Sequence, residues 1–246
     1  MVNREKPLPL YYQLKSELLE DIKKGIYKEN EKIPSENELQ KLYNVSLITV
    51  RKALSDLVQE GVLYRIQGKG TFVAKPKIQR YLSLLSFTEE MKQKGIELDT
   101  KLLRFTKEYV DNDIAEALKL NSDKSVWVIE RLRLGNGEPV ALQKSYLPCY
   151  IFKNFSEEHF KSSNSLYEIL RTKYDMVPYR AEEVYNSINI NDKNIAEQLS
   201  VRLKTAAFLV KRITFNQEGI PFEYAISLLR GDRYSIRVNL ITERQG

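Results

Sequence analysis

Two stretches of this chain repeat one another. "DNDIAEALKL…VWVIERLRLGNGEPV" and "NDKNIAEQLSV…AFLVKRITFNQEGIPF" align with a shift of 81 residues, which becomes 82 after one extra residue in the turn. Ile114, Ala115 and Glu116 meet Ile195, Ala196 and Glu197, Arg131 meets Arg212, and Pro139 meets Pro221. A duplicated unit of this kind implies two half-sheets related by a pseudo-twofold. That symmetry brings the equivalent strand arginines near a shared cleft, a suitable home for an anionic ligand. Hydrophobic periodicity predicts strands over 98–109, 126–134, 140–147, 181–190, 208–215 and 222–229, and helices over 87–93, 114–118, 166–173 and 195–199. Gly135-Asn136-Gly137-Glu138 and Gln217-Glu218-Gly219 have the composition of hairpin turns. The expected architecture is a mainly antiparallel sheet with helices on one face.

The repeat occupies only the second part of the chain. In residues 1–77 the pattern is different. Leu14, Leu18, Leu19 and Ile22 recur at helical spacing until Gly25 stops the helix. Ser35 followed by Glu38 is a capping box that opens a second helix through Leu42 and Tyr43. Asn44-Val45 makes a short turn. Ser46 and Thr49 then open a third helix with an apolar stripe of Val50, Ala53, Leu54, Leu57 and Val58, closed by Gly61. Two helices joined by so short a turn form a helix-turn-helix. Two short strands follow, 62–66 and 71–73, around Gln67-Gly68-Lys69-Gly70. A wing with glycines and a cation at its tip lets the backbone approach a groove closely. The basic stretch from Lys75 to Arg80, with Pro76, reads as a linker between a domain over 1–77 and one over 78–246.

Charge agrees with this division. The whole chain is +6. Residues 1–77 hold 14 Lys/Arg against 10 Asp/Glu, hence +4, and the remaining 169 residues hold 25 against 23, hence +2. Excess positive charge in the first third favours a nucleic-acid partner. Other classes are disfavoured. Apolar runs such as 206–210 are too short to span a bilayer, so no membrane partner is expected. Met1 to Pro9 has charge and prolines but no apolar stretch, so no secretion signal is expected. One cysteine, Cys149, excludes an internal disulfide and suits a cytoplasmic location. One histidine, His159, leaves too few soft ligands for a zinc site. No metal or cofactor is expected, and no nucleophile–base pair marks a catalytic residue.

"PLYYQLKSELLEDIKKG" and "IPSENELQKLYNVSLITVRKALSDLVQEGVLYRIQGKGTFV" resemble the DNA-binding domain of the GntR regulator family over residues 7–77. The resemblance implies contacts to double-stranded operator DNA from Ser35 at the start of the second helix, from Thr49 and Arg51 of the recognition helix, and from Gly68, Lys69 and Gly70 of the wing. The alternative for Arg51 is a salt bridge on a solvated helix face. The family often carries arginine where this chain has Asn37 and Leu47. Asn37 would favour adenine or a phosphate, and Leu47 offers an apolar contact such as one to a thymine methyl. The operator sequence therefore does not transfer.

The second part resembles the UTRA effector-binding domain carried by the HutC branch of the same family, with a chorismate-lyase-like fold. "LLSFTEEMKQKG", "IERLRL", "SLYEIL", "KRITF" and "FEYAISLLRGDRY" carry the likeness across residues 82–234. Within that branch the chain resembles repressors of N-acetylglucosamine utilisation, where the phosphate of a sugar phosphate sits at the start of the first effector-domain helix. Ser86, Phe87 and Thr88 open that helix here, with Ser86 and Glu89 as a capping box. Arg131 and Arg133, two apart on one strand, share a face and could clamp phosphate oxygens or pair with acids across the sheet. Ser165 and Tyr167 offer hydroxyls, and Glu223 could accept from sugar hydroxyls. Leu229 and Gln143 stand where the amino-sugar regulators have tyrosine and glutamate, which changes the sugar groups that can be satisfied.

The expected fold is thus α+β: an N-terminal winged helix-turn-helix and a C-terminal antiparallel sheet with helices. The expected function is a homodimeric, DNA-binding regulator, a repressor controlled by an effector such as glucosamine 6-phosphate or N-acetylglucosamine 6-phosphate. Two other readings stand beside it: a chorismate-lyase-like enzyme, and a DNA-binding protein without a ligand.

Overall fold

A computed structural model describes residues 7–75, 77–81 and 84–238, with the Tyr81 side chain excepted. Residues 1–6 and Pro76, used above in reading the N-terminus and the linker, lie outside them. The chain divides into two compact units, Met1–Lys77 and Ile78–Gly246.

The first unit holds three helices, α1 (Leu10–Lys23), α2 (Glu36–Tyr43) and α3 (Leu47–Gln59), and an antiparallel pair of strands, β1 (Leu63–Ile66) and β2 (Gly70–Val73). The capping box forms: the Ser35 backbone N–H donates to Glu38 Oε2 at 2.7 Å, and Ser35 Oγ accepts from the Glu38 amide. Asn44 ends α2 in the left-handed conformation, φ 49°, which makes the tight turn into α3. Leu14 and Leu18 of α1, Leu39 of α2, Val50, Leu54 and Leu57 of α3 and Val73 of β2 form one core.

The second unit is built on six antiparallel strands: β4 (Leu98–Tyr109), β5 (Ser125–Gly135), β6 (Glu138–Pro148), β7 (Arg180–Asn189), β8 (Ala206–Phe215) and β9 (Pro221–Arg230). Their order is β4-β5-β6-β9-β8-β7, the order a twofold between β6 and β9 generates. The register shift between Arg133 and Leu134 recurs between Thr214 and Phe215, at equivalent positions of the repeat. The β5–β6 turn has Asn136 at φ 50° and Gly137 at φ 77°, the two positive values a two-residue hairpin demands.

Helices cover both faces of this sheet, not one as the periodicity implied. On one face, α4 (Phe87–Gln93) contributes Met91 to a cluster with Val210 and Leu229, and α6 (Leu166–Tyr174) packs Leu166, Ile169 and Leu170 near Ile129. On the other, α5 (Asn112–Ala117) and its C-terminal Leu118 lie over Val126 and Val128, and α7 (Lys193–Gln198) packs Ala196 near Leu132 and Leu134. β5 is therefore buried on both sides, which hides the alternation that marks a half-solvated strand.

The linker reading also needs correction at its end. Residues 78–80 belong to a strand, β3 (Ile78–Tyr81), paired in parallel with β10 (Tyr234–Arg237). Ile78 is buried with Tyr234, and Arg80 is buried beside the main sheet.

Candidate functional site

In the first unit, the residues singled out for DNA lie on α2, α3 and the β1–β2 turn. Ser35, Asn37, Arg51, Gly68, Lys69 and Gly70 are exposed, and Leu47 and Thr49 are half-buried. The Thr49 hydroxyl is engaged with Ser46 Oγ at 2.8 Å, which locks the start of α3. Arg51 Nε donates to Glu36 Oε2 at 2.8 Å, and Arg65 of β1 approaches the same carboxylate at 3.6 Å. Glu36 thus steers a cation from the helix and one from the wing toward one place, a role the sequence did not disclose. Exposed pairs of this kind contribute about 0–1 kcal/mol, so either arginine can exchange its carboxylate for a phosphate at little cost. Gly68, at φ +73°, supplies the left-handed turn at the wing tip.

In the second unit, all eight residues singled out for the effector line one cleft of about 530 Å³. Its floor is the sheet and its walls are the starts of α4 and α6. Arg131 and Arg133 alternate with Leu132 and Leu134 along β5, so both guanidinium groups point to the same side. They are 3% and 1% exposed. The acids expected as cross-strand partners do not reach them, because Glu130 faces the other way and pairs with Lys144 at 2.9 Å. Instead Arg131 Nη2 donates to Gln143 Oε1 at 2.9 Å and to Ser145 Oγ at 3.4 Å. Arg133 Nη2 donates to Thr88 Oγ1 at 2.9 Å, and its Nη1 to the Asn164 carbonyl at 3.4 Å. The Nε–H groups of both arginines are buried without a partner.

These cations are held at a cost. Burial pushes the Arg131 pKa down to about 10, with Glu223 and Tyr167 opposing the shift. Burial and the adjacent charge of Arg131 push Arg133 well down. Two desolvated guanidinium groups, each with an unused donor, sit side by side on the cleft floor, an arrangement whose charge and donors are chemically suited to an oxyanion.

α4 opens at the same end. Ser86 Oγ accepts from the Glu89 amide at 3.1 Å and Glu89 returns a carboxylate to the Ser86 amide at 2.8 Å. The amides of Phe87 and Thr88 then remain in the first turn, where an α-helix provides no internal acceptor. Opposite, Tyr167 donates to Glu223 Oε2 at 2.7 Å and shares a hydrogen bond with Thr214 at 3.0 Å. Burial and the Glu223 charge raise the Tyr167 pKa, so it acts as a donor at neutral pH. Glu223 is 2% exposed and presents an acceptor to the cleft. Ser165 caps α6 by accepting from the Glu168 amide at 3.4 Å.

On the third wall, sequence reasoning missed Arg80 and Glu183. Arg80 of β3 donates to Glu183 Oε1 at 2.8 Å, and Arg212 of β8 pairs with the same carboxylate. All three residues line the cleft. Burial works against the Glu183 carboxylate, but the two arginines outweigh it and hold its pKa below the usual range. The repeat pointed to Arg212 through Arg131. It also shows how the halves diverged, since Arg133 has Thr214 as its counterpart and Glu223 has Ala141. One half supplies the paired cations and the other the acceptor.

Comparison with known proteins agrees with both halves. The UTRA domain profile matches residues 93–235, and that of the bacterial regulatory proteins of the gntR family matches residues 10–73. The chain is 35% identical over 235 residues to the HTH-type transcriptional repressor NagR of Bacillus subtilis (strain 168), covering 95% of this chain and 96% of that one. It is 32% identical over 234 residues to the probable fructoselysine utilization operon transcriptional repressor of Escherichia coli (strain K12), covering 94% of each. Among solved structures, PhnF from Mycobacterium smegmatis matches with a TM-score of 0.70 at 25% identity, covering 94% of this chain and 100% of that chain. The first two names are those of transcriptional repressors, not of enzymes. With a winged helix-turn-helix matched at one end and a UTRA domain over more than half its length, the chain belongs to the GntR family of bacterial regulatory proteins and is a transcriptional regulator.

Proposed function

We propose that this regulator is a homodimeric repressor whose hold on a palindromic operator is released by a phosphorylated sugar bound in the UTRA cleft. The observation that carries the reading is the buried pair Arg131 and Arg133, each with an unpartnered Nε–H, beside the first turn of α4. A phosphate dianion supplies two charges and several acceptors to these groups. Glu223 across the cleft offers an acceptor to sugar hydroxyls, and Tyr167, which donates to its Oε2, holds that carboxylate in place.

Relatives named as repressors, one of them as the probable repressor of a fructoselysine utilization operon, support repression as the direction of control. A dimer is required if a palindrome is to be read, one half-site by each winged helix, with protein and operator sharing one twofold. Effector binding then acts by favouring a dimer geometry whose helix spacing no longer fits the operator, which needs a higher affinity for that geometry.

A thermal-shift screen of the full-length protein against a panel of sugar phosphates, including glucosamine 6-phosphate and N-acetylglucosamine 6-phosphate, tests the ligand class. A ligand at 100 times its Kd stabilises by about 2.7 kcal/mol. No stabilisation by any phosphorylated sugar would remove the ligand class from the proposal.

A further inference from the structure

Ile48 is 80% exposed, more than any other large hydrophobic described in residues 7–75. It lies in the first turn of α3, whose buried stripe is Val50, Ala53, Leu54 and Leu57. At about 100° per residue, Ile48 stands roughly 160° around the helix from Val50, on the outward side. Arg51 and Lys52, three and four residues on, are also exposed and bracket that side with positive charge. Leu47, its neighbour, is half-buried toward the flank. Neither packing nor helix propensity accounts for Ile48: at 80% exposure it is not part of the core, and alanine is the better helix former at an exposed site.

The surrounding chemistry identifies what covers it. In a helix-turn-helix the N-terminal residues of the second helix meet base edges in the major groove while cations meet phosphates. The apolar group exposed in that groove is the C5-methyl of thymine. We propose that Ile48 reads a thymine methyl, so that each half-site carries a thymine specified by an aliphatic contact and not by a hydrogen bond. This rests on the operator-binding reading above.

The test uses the full-length protein and a duplex that it selects from a randomised DNA library. Each thymine is replaced in turn by uracil, which pairs identically and lacks the methyl. One position in each half-site should bind roughly fourfold more weakly, the equivalent of one buried methyl. In Ile48→Ala, a replacement the helix tolerates, the same uracil should cost nothing further. The inference fails if no uracil replacement weakens binding, or if the penalty is unchanged in Ile48→Ala. A library from which no duplex is enriched contradicts operator binding itself, and this inference with it.

Discussion

The guanidinium of Arg133 lies 4.8 Å from the centroid of the Phe87 ring, with Nη2 donating 2.9 Å to Thr88. One side chain of β5 therefore fastens the start of α4 to the sheet and still keeps one buried donor, Nε–H, without a partner. A planar fork can do both at once, whereas an ammonium cannot. Arg133→Lys should bind the effector at least tenfold more weakly, at about 1.5–3 kcal/mol for each charge-assisted hydrogen bond lost. Operator affinity without effector should stay within about twofold. Effector titrations of a labelled duplex check both, and an unchanged response would mean that the charge alone suffices.

Glu183 holds Arg80 and Arg212 together in a buried site. Glu183→Gln leaves two like charges facing each other and should destabilise the protein by about 3 kcal/mol. The pH dependence has a definite sign. Because the folded-state pKa of Glu183 is depressed, its contribution is complete above the unfolded carboxylate value, about 4.3, and is lost as pH falls through the folded value. Urea unfolding should show the full difference between wild type and variant at pH 7 and a shrinking one below about pH 4. A difference independent of pH would mean that the carboxylate charge is not what stabilises.

Arg51→Ala and Lys69→Ala should each weaken operator binding and lower the salt slope by about one, as expected for one lost phosphate contact. Melting temperatures should barely move, since the ion pair of Arg51 with Glu36 is solvent-exposed on the arginine side. Unaltered affinity and slope in Arg51→Ala would remove it from the interface.

The dimer should be held by the second unit. A fragment of residues 78–246, which has its own cores, should sediment as a dimer at tens of micromolar. A monomeric fragment beside a dimeric full-length protein would move the interface to the first unit.

Most of the architecture was legible because its signals are local. The capping boxes of Ser35 and Ser86 mark where helices begin, and Asn136-Gly137 marks a hairpin. The observed strand order has the twofold relation that the repeat implied. What escaped is non-local. β3 and β10 are four residues each, and each finds its partner at the far end of the unit, so neither carries a pattern of its own. Arg80 was read as linker charge because its partner Glu183 lies 103 residues away. The two-sided helical cover escaped because β5 is buried on both faces and reads as a continuous apolar run interrupted by arginines. Those arginines were the exception to core patterning, and they are what the cleft is built on.

On the proposed reading, an oxyanion held by Arg131 and Arg133 controls DNA binding. Calorimetry with the best sugar phosphate from the thermal-shift screen and with its dephosphorylated parent tests it most directly, followed by the effect of each on operator affinity. Loss of two charge-assisted hydrogen bonds should weaken binding by about a hundredfold or more. The phosphorylated sugar should release the operator at concentrations where the parent does nothing. Equal affinity for the two compounds, or equal release by both, would contradict the account and leave the arginines as structural charges of the sheet.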